Sequence, residues 1–334
     1  MKFGVFEHMD DSGVPLGQQI ECRMRLAEAY DRHGFYAYHL AEHHGTPLGL
    51  APSPGLFMAA VAQRTRRLRF GPLVYLLPLY HPLRLIEEIC MLDHMSGGRL
   101  EVGVGRGVSP IEVSFFGVDP ADGPRRFPEA LRVLRQGLTS DVLDFEGEFY
   151  RFKNVPMVLK PLQRPHPPLW YGVTSPEASV WAAREGANIA TLVPARAARA
   201  IAERYRVEWA NHGHPQEPAP LIGLNRHIVL AETEAEARAT AERAYRRWRR
   251  HMEHLWVARG HAFPLALPHE IGPLLDSGGA FAGTPEGARR YVAEQTETAG
   301  ANYFICSLAF GDMSLEEALR TVELMGHEVM PAFA

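Results

Sequence analysis

The chain has 334 residues, 46% hydrophobic and 22% charged, an ordinary globular composition that excludes a largely disordered polypeptide. Its 35 Lys and Arg against 39 Asp and Glu leave a net charge of −4, so bulk charge draws it neither to nucleic acid nor to an anionic membrane. No secretory pattern opens the chain, no stretch approaches the roughly 18 apolar residues of a membrane span, and Cys22, Cys90 and Cys306 are too scattered for a disulfide framework or a zinc site, so a cytoplasmic protein is expected.

From Lys2 onward, short apolar runs alternate with longer amphipathic ones. Lys2–Glu7 reads as a strand; Ile20, Met24, Ala27 and Tyr30 then recur at helical spacing until His33-Gly34. Tyr36–Leu40 is a second strand and Pro54–Arg64 a second helix. Leu68–Leu77 reads as one uninterrupted third strand, Leu85, Ile86, Ile89 and Leu92 as the next helix, and Leu100–Val104 as the fourth strand. The pattern breaks between about residues 141 and 168, where EGEFYRF and KPLQRPHPP suggest a hairpin and an extended loop. Leu169–Val173, Asn188–Leu192, Leu221–Ala231 and Tyr303–Leu308 supply strands five to eight. Their helices run over Pro176–Glu185, over Arg196–His212, through a seam of Tyr245, Trp248, Met252 and Leu255, and along a stripe of Leu315, Leu319, Val322 and Met325. Eight strand–helix units without a break in composition favour a single α/β domain over 1–334, a (β/α)8 TIM barrel, over two doubly wound domains. Residues 257–283, rich in Gly and Pro, fit neither period; they read as a mobile lid or as a surface excursion with its own helix.

In such a barrel, residues just beyond each strand share one mouth. After the second strand stand Glu42, His43 and His44. Adjacent side chains diverge, so this is not metal-ligand spacing, but one placed imidazole suffices for proton transfer near neutral pH; a histidine bonded to the loop backbone is the plain alternative. After the fourth strand Arg106 lies between Gly105 and Gly107, where a guanidinium can meet an anion that also approaches the backbone. Pro124-Arg125-Arg126 adds a second basic pair. After the fifth strand, Thr174-Ser175-Pro176 spells a helix start: a hydroxyl cap, proline in the first turn and free amides facing outward, which is either a plain cap or half of a phosphate site. Arg106 and this start together favour one bound phosphate. GVGRG does not match the dinucleotide GxGxxG, and no P-loop is present.

Taken together, MKFGVFEHM, FYAYHLAEHHG, FGPLVYLLPLYHPLRLIEEICMLDHMSGGRLEVGVGRG, FFGVDP and the C-terminal GTPEG and VMP resemble the bacterial luciferase family of flavin-dependent monooxygenases, from Met1 to near Pro331. The resemblance implies a barrel binding FMN, reduced by a separate flavin reductase. It further implies that dioxygen forms a flavin peroxide, which oxygenates a small organic substrate. By position, His43 is the catalytic histidine; Arg106, Arg125, Thr174, Ser175 and Ser179 hold the phosphate; Glu42 belongs to the cofactor site. Leu73-Val74 matches a non-prolyl cis peptide beneath the flavin ring, and residues 257–283 match a mobile loop. A homodimer is implied, with Ala59, Ala60 and Ala62 permitting close helix approach. Gly105 departs from the family, whose luciferase α subunit carries a reactive cysteine there; the missing side chain is expected to open space over the ring. Phe6, Tyr75, Phe115, Trp170 and Phe263 are expected to line a moderately hydrophobic substrate site. A deazaflavin-dependent hydride transfer and a non-catalytic flavin-binding protein are the alternatives.

Overall fold

The computed structural model describes residues 1–334, and its strands close around one axis. They are β1 (Lys2–Glu7), β2 (Ala37–Leu40), β3 (Arg69–Pro72), β4 (Tyr75–Leu76), β5 (Val102–Gly105), β6 (Val142–Glu146), β7 (Arg151–Pro156), β8 (Leu169–Gly172), β9 (Asn188–Thr191), β10 (Ile222–Leu230), β11 (Ala280–Gly283) and β12 (Tyr303–Ser307). The helices are α1 (Leu16–Arg32), α2 (Pro54–Arg64), α3 (Pro82–Ser96), α4 (Pro110–Phe115), α5 (Gly123–Thr139), α6 (Pro176–Arg184), α7 (Ala195–Asn211), α8 (Glu234–Ala258), α9 (Gly272–Asp276), α10 (Pro285–Ala299) and α11 (Leu315–Leu324).

The parallel sheet runs β3-β2-β1-β12-β10-β9-β8-β5-β4, and a parallel bridge between Phe70 and Leu100 brings its two ends together. Nine strands make eight passes because β3 and β4 are halves of one. The single strand read over Leu68–Leu77 is therefore corrected: it breaks at Leu73–Val74, whose peptide is cis. Glycine permits the close approach on either side of that break. A Cβ on Gly71 would lie 1.8 Å from the Glu101 carbonyl oxygen, and one on Gly103 2.3 Å from that of Pro72.

Polar side chains fill the lower barrel and bond to one another, with His39 Nδ1 left as a buried atom without a partner. The Glu101 carboxylate pairs with Arg69 and accepts from Trp170 Nε1 at 2.6 Å and Tyr36 Oη at 3.1 Å. His39 Nε2 lies 2.9 Å from Tyr303 Oη, whose ring occupies the space a Cβ on Gly4 would need. This end is plugged, so the accessible mouth is the end where the strands finish. Trp170, expected at the substrate site, belongs to the plug, and Tyr75 turns outward to Glu88 at 2.9 Å.

The helix signals read from sequence hold where they can be seen. Gly97, at φ 66°, ends α3 in the left-handed region that favours glycine, and Ser175 Oγ caps α6 by accepting from the Ala178 amide. Helix α5 has no counterpart among the sequence signals: Phe127, Leu131, Leu134 and Leu138 give it a buried stripe despite Pro128 near its start. Residues 141–168 do contain the hairpin, β6 against β7. Residues 257–283 show the feature of the surface-excursion reading, a helix of their own, α9. They end in β11, which pairs beside β10 because Ala280 and Ala282 alternate inward. Among the three alanines of α2, Ala62 faces the core and only Ala60 is exposed, while Leu56 of α2 and Met91 and Met95 of α3 are exposed apolar side chains. No helix is long and apolar enough to cross a membrane.

Candidate active site

Strand register sets the first wall of the mouth. Val102 pairs with Leu169 and Gly103 with Trp170, so Gly105 continues opposite Gly172, and Arg106 emerges beside the Thr174–Ser175 start of α6. Arg106 is exposed and has neither an ion pair nor a hydrogen bond within the chain. Its charge is close enough to Tyr171 to oppose the upward push that burial gives that phenol. Thr174 is exposed and Ser175 half-buried. An unpaired guanidinium beside a helix N-terminus is a ready anion site.

The second wall follows β2. Glu42 is buried, accepting from the Leu76 amide at 3.0 Å and facing His44 Nε2 at 2.8 Å, and burial raises its carboxyl above the ordinary range. It ties the β2 loop to β4 and does not reach into the mouth. The His43 ring points the other way. Its Nδ1 lies 3.1 Å from Glu112 Oε1, while Glu112 Oε2 accepts the His44 amide at 2.8 Å. Both carboxylate oxygens are thus engaged, and the ring is held through Nδ1 while Nε2 has no partner within the chain. His8, at the end of β1, stacks on His43 with centroids 5.5 Å apart, and Trp248 of α8 closes the other side.

Between these walls lies the Leu73–Val74 break. Here the structure corrects the expectation for Gly105. A Cβ on Gly105 would fall 2.4 Å from Val74 Cγ2, so the valine side chain occupies the space, and the missing side chain opens none. A cavity of about 560 Å³ lies between Ile111 and Ser114 of α4 and Trp256, Arg259 and His261 at the end of α8, against the segment read as a lid.

A family model for luciferase-like monooxygenases matches residues 1–302. The chain belongs to that family. This luciferase-like monooxygenase is 44% identical over 330 residues to the uncharacterized protein y4wF of Sinorhizobium fredii, covering 99% of this chain and 96% of the relative. It is 29% identical over 247 residues to the oxygenase component of the flavin-dependent trigonelline monooxygenase of Acinetobacter baylyi, covering 72% and 68% of the two chains. The crystal structure of monooxygenase RslO1 from Streptomyces bottropensis matches with a TM-score of 0.91 at 28% identity, covering 100% of both chains. The luciferase-like monooxygenase is therefore an oxidoreductase of the oxygen-incorporating class.

The monooxygenase's remaining site residues divide clearly. Arg125 does not stand free: it pairs with Asp122 at 2.5 Å and with Glu148, and stacks 5.3 Å from Phe149. Its neighbour Arg126 donates to Tyr150 Oη at 3.2 Å. Ser179 is buried, its hydroxyl donating to the Pro176 carbonyl at 2.7 Å within the first turn of α6. Phe263 lies under Arg249, with 4.7 Å between guanidinium and ring centroid, while Phe6 and Phe115 retain access to solvent. Sequence reasoning missed Glu112 and His8. Glu112 sits in Ser109-Pro110-Ile111-Glu112, the spelling of a helix start, where a glutamate three residues after the cap ordinarily serves the helix itself. His8 stands just past a strand, the same signal that singled out His43.

Proposed function

We propose that this enzyme is the oxygenase component of a two-component system that uses reduced FMN and dioxygen to oxygenate a small organic substrate. The observation that carries the reading is Arg106, a cation without a protein partner, beside the start of α6 at the barrel mouth. Arg106 would take the FMN phosphate together with the Thr174 and Ser175 turn, where free amides and the helix dipole favour an anion. Arg125, spent on two carboxylates, would contribute little. Leu73–Val74, with Val74 packed over Gly105, would form the floor beneath the ring system. FMN, when bound in its reduced form, supplies the electrons that activate dioxygen, one oxygen atom entering the substrate and the other leaving as water.

The chain's own part is binding, orientation and one proton. With Nδ1 held by Glu112, His43 exchanges a proton at Nε2, and an imidazolium formed there faces a carboxylate. The lid excludes water as it settles toward α4 over the cavity lined by Ile111 and Arg259. The trigonelline relative is named as an oxygenase component, which supports a separate reductase as the electron source. Two copies pair through the apolar face of Leu56, Met91 and Met95; sedimentation of wild type and Leu56→Glu tests this, and unchanged mass refutes it.

Anaerobic titration with photoreduced FMN tests the central claim. Losing a charge-assisted phosphate contact costs about 1.5–3 kcal/mol, so Arg106→Ala should weaken binding about 10- to 150-fold, and Arg106→Glu by more. Unchanged affinity in both variants refutes the site. Wild-type enzyme with reduced FMN and ¹⁸O₂ should place one labelled atom in product; unlabelled product refutes the reaction.

A further inference from the structure

We propose that His8 is a second substrate-facing histidine, fixed as a neutral hydrogen-bond donor on Nε2, which selects substrates that present an uncharged oxygen acceptor to that side of the mouth. The inference deepens the oxygenase reading and rests on it for the placement of the cofactor.

The tautomer follows from the partner. An indole N–H only donates, and Trp248 Nε1 lies 3.3 Å from His8 Nδ1. Nδ1 therefore presents its lone pair, and the proton of the neutral ring sits on Nε2. The ring has little freedom to turn. Phe6 meets it edge-on at 4.9 Å, His43 stacks at 5.5 Å with planes 28° apart, and Trp248 lies at 5.8 Å. Nε2 has no partner in the protein, yet it is not among the buried polar atoms left unpaired, so it keeps access to solvent just beyond the end of β1.

The charge on this wall selects the acceptor. Burial first, then the neighbouring His43 and His227, hold the His8 ring well below the ordinary histidine range, so it is neutral near pH 7. His227, on the other side of Trp248 at 4.6 Å, is pushed down to about 4, again mainly by burial. No acid faces His8 as Glu112 faces His43. A wall of neutral rings with one free N–H suits a neutral oxygen; a carboxylate there would be stripped of water with no opposing charge beside it. Placement agrees. The phosphate residues sit over β5 and β8 and the ring floor over β3 and β4, leaving the side formed by β1, β10 and α8 for the substrate.

The test uses ¹⁵N-histidine-labelled full-length protein, with His8 assigned from the signal lost in His8→Gln. Long-range ¹H–¹⁵N spectra between pH 6 and 8 should show His8 neutral and protonated on Nε2, and Trp248→Phe should release it into a mixture of tautomers. Cyclohexanone should shift the Nε2 signal with and without oxidised FMN. Methylenecyclohexane, which has the same shape and no acceptor, should not. By titration, wild type should prefer the ketone about 10-fold; His8→Phe should lose that preference, and His8→Gln, with a side-chain amide donor, should recover part of it. An imidazolium or Nδ1–H signature at pH 7, no ketone shift, equal shifts by both probes, or an intact preference in His8→Phe each overturns the proposal. FMN quenching on the same samples keeps the two claims apart. Lost FMN binding with the ketone effect intact sinks the oxygenase site alone, whereas normal FMN binding without a ketone effect sinks the role of His8.

Discussion

The contact between Gly105 and Val74 gives a test of how this mouth is built. A Cβ placed on Gly105 lies 2.4 Å from Val74 Cγ2 and 3.3 Å from Val74 Cβ. Carbon atoms rest about 3.5–4.0 Å apart, so Gly105→Ala demands a shift of more than about 1 Å. Neither side yields cheaply, because Val74 is β-branched and Gly105 is held by the β4–β5 ladder. Overpacking of this kind costs about 1–3 kcal/mol, here about 2. Val74→Ala removes two carbons from a half-buried side chain, worth about 1 kcal/mol. Were the sites independent, the double variant would lose about 3 kcal/mol; with the clash gone it should lose only about 1, a coupling of about 2 kcal/mol. Urea unfolding of the four proteins, followed by fluorescence and circular dichroism together, measures the cycle. A Gly105→Ala protein within about 0.5 kcal/mol of wild type, or additive losses, refutes the claim that Val74 fills the space at Gly105.

Glu112→Gln puts an amide NH₂ against one of two donors, His43 Nδ1 or the His44 amide; it should lower kcat/KM about 10- to 100-fold, mostly in kcat, and alter the pH–rate profile, while FMN affinity stays unchanged. Unaltered steady-state kinetics would remove Glu112 from the proton path. Arg125→Ala should leave FMN affinity within about 3-fold in the titration that exposes Arg106, since its charge is already paired; a loss matching that of Arg106→Ala would restore Arg125 to the phosphate site. Burial pushes His39 down to about 3, so below pH 6.5 the unfolded chain binds a proton that the folded chain refuses, and stability falls by about 1.4 kcal/mol per pH unit until about pH 3. Above pH 6.5 this term is flat. His39→Gln should therefore gain about 2–3 kcal/mol relative to wild type between pH 6.5 and 4.5 by urea unfolding, and parallel pH curves would refute the buried neutral ring.

Periodicity carried most of the barrel. Strands closed by a turn signal, such as Lys2–Glu7 and Leu169–Gly172, were legible because consecutive buried residues give a short, nearly unbroken apolar run. The failures have local causes. Leu68–Leu77 reads as one strand because a reversed peptide between two apolar residues leaves no trace in their hydrophobicity. Helix α5 was obscured by Pro124 and Pro128, which near a helix start are tolerated but in sequence look like breaks. The Ala280–Gly283 strand has four small residues and no bulky apolar alternation to announce it.

The site was legible to the extent that position, not partnership, defines it. Being just beyond a strand was enough to single out Arg106 and His43. Whether such a residue is available depends on what its neighbours take from it, and those neighbours are remote in sequence. Arg125 and Arg106 look alike on paper; one is claimed by Glu148, 23 residues away, and the other is left free. Glu42 is marked by its place beside His43 yet only anchors a loop, whereas Glu112, unmarked and 69 residues from His43, bonds to its ring. The same difference in partners separates the stacked histidines. A carboxylate faces Nδ1 of His43 while an indole N–H faces Nδ1 of His8, so in the proposed roles two identical side chains 5.5 Å apart would be given opposite tasks. Chemistry at this mouth is thus assigned by the second partner of each ring.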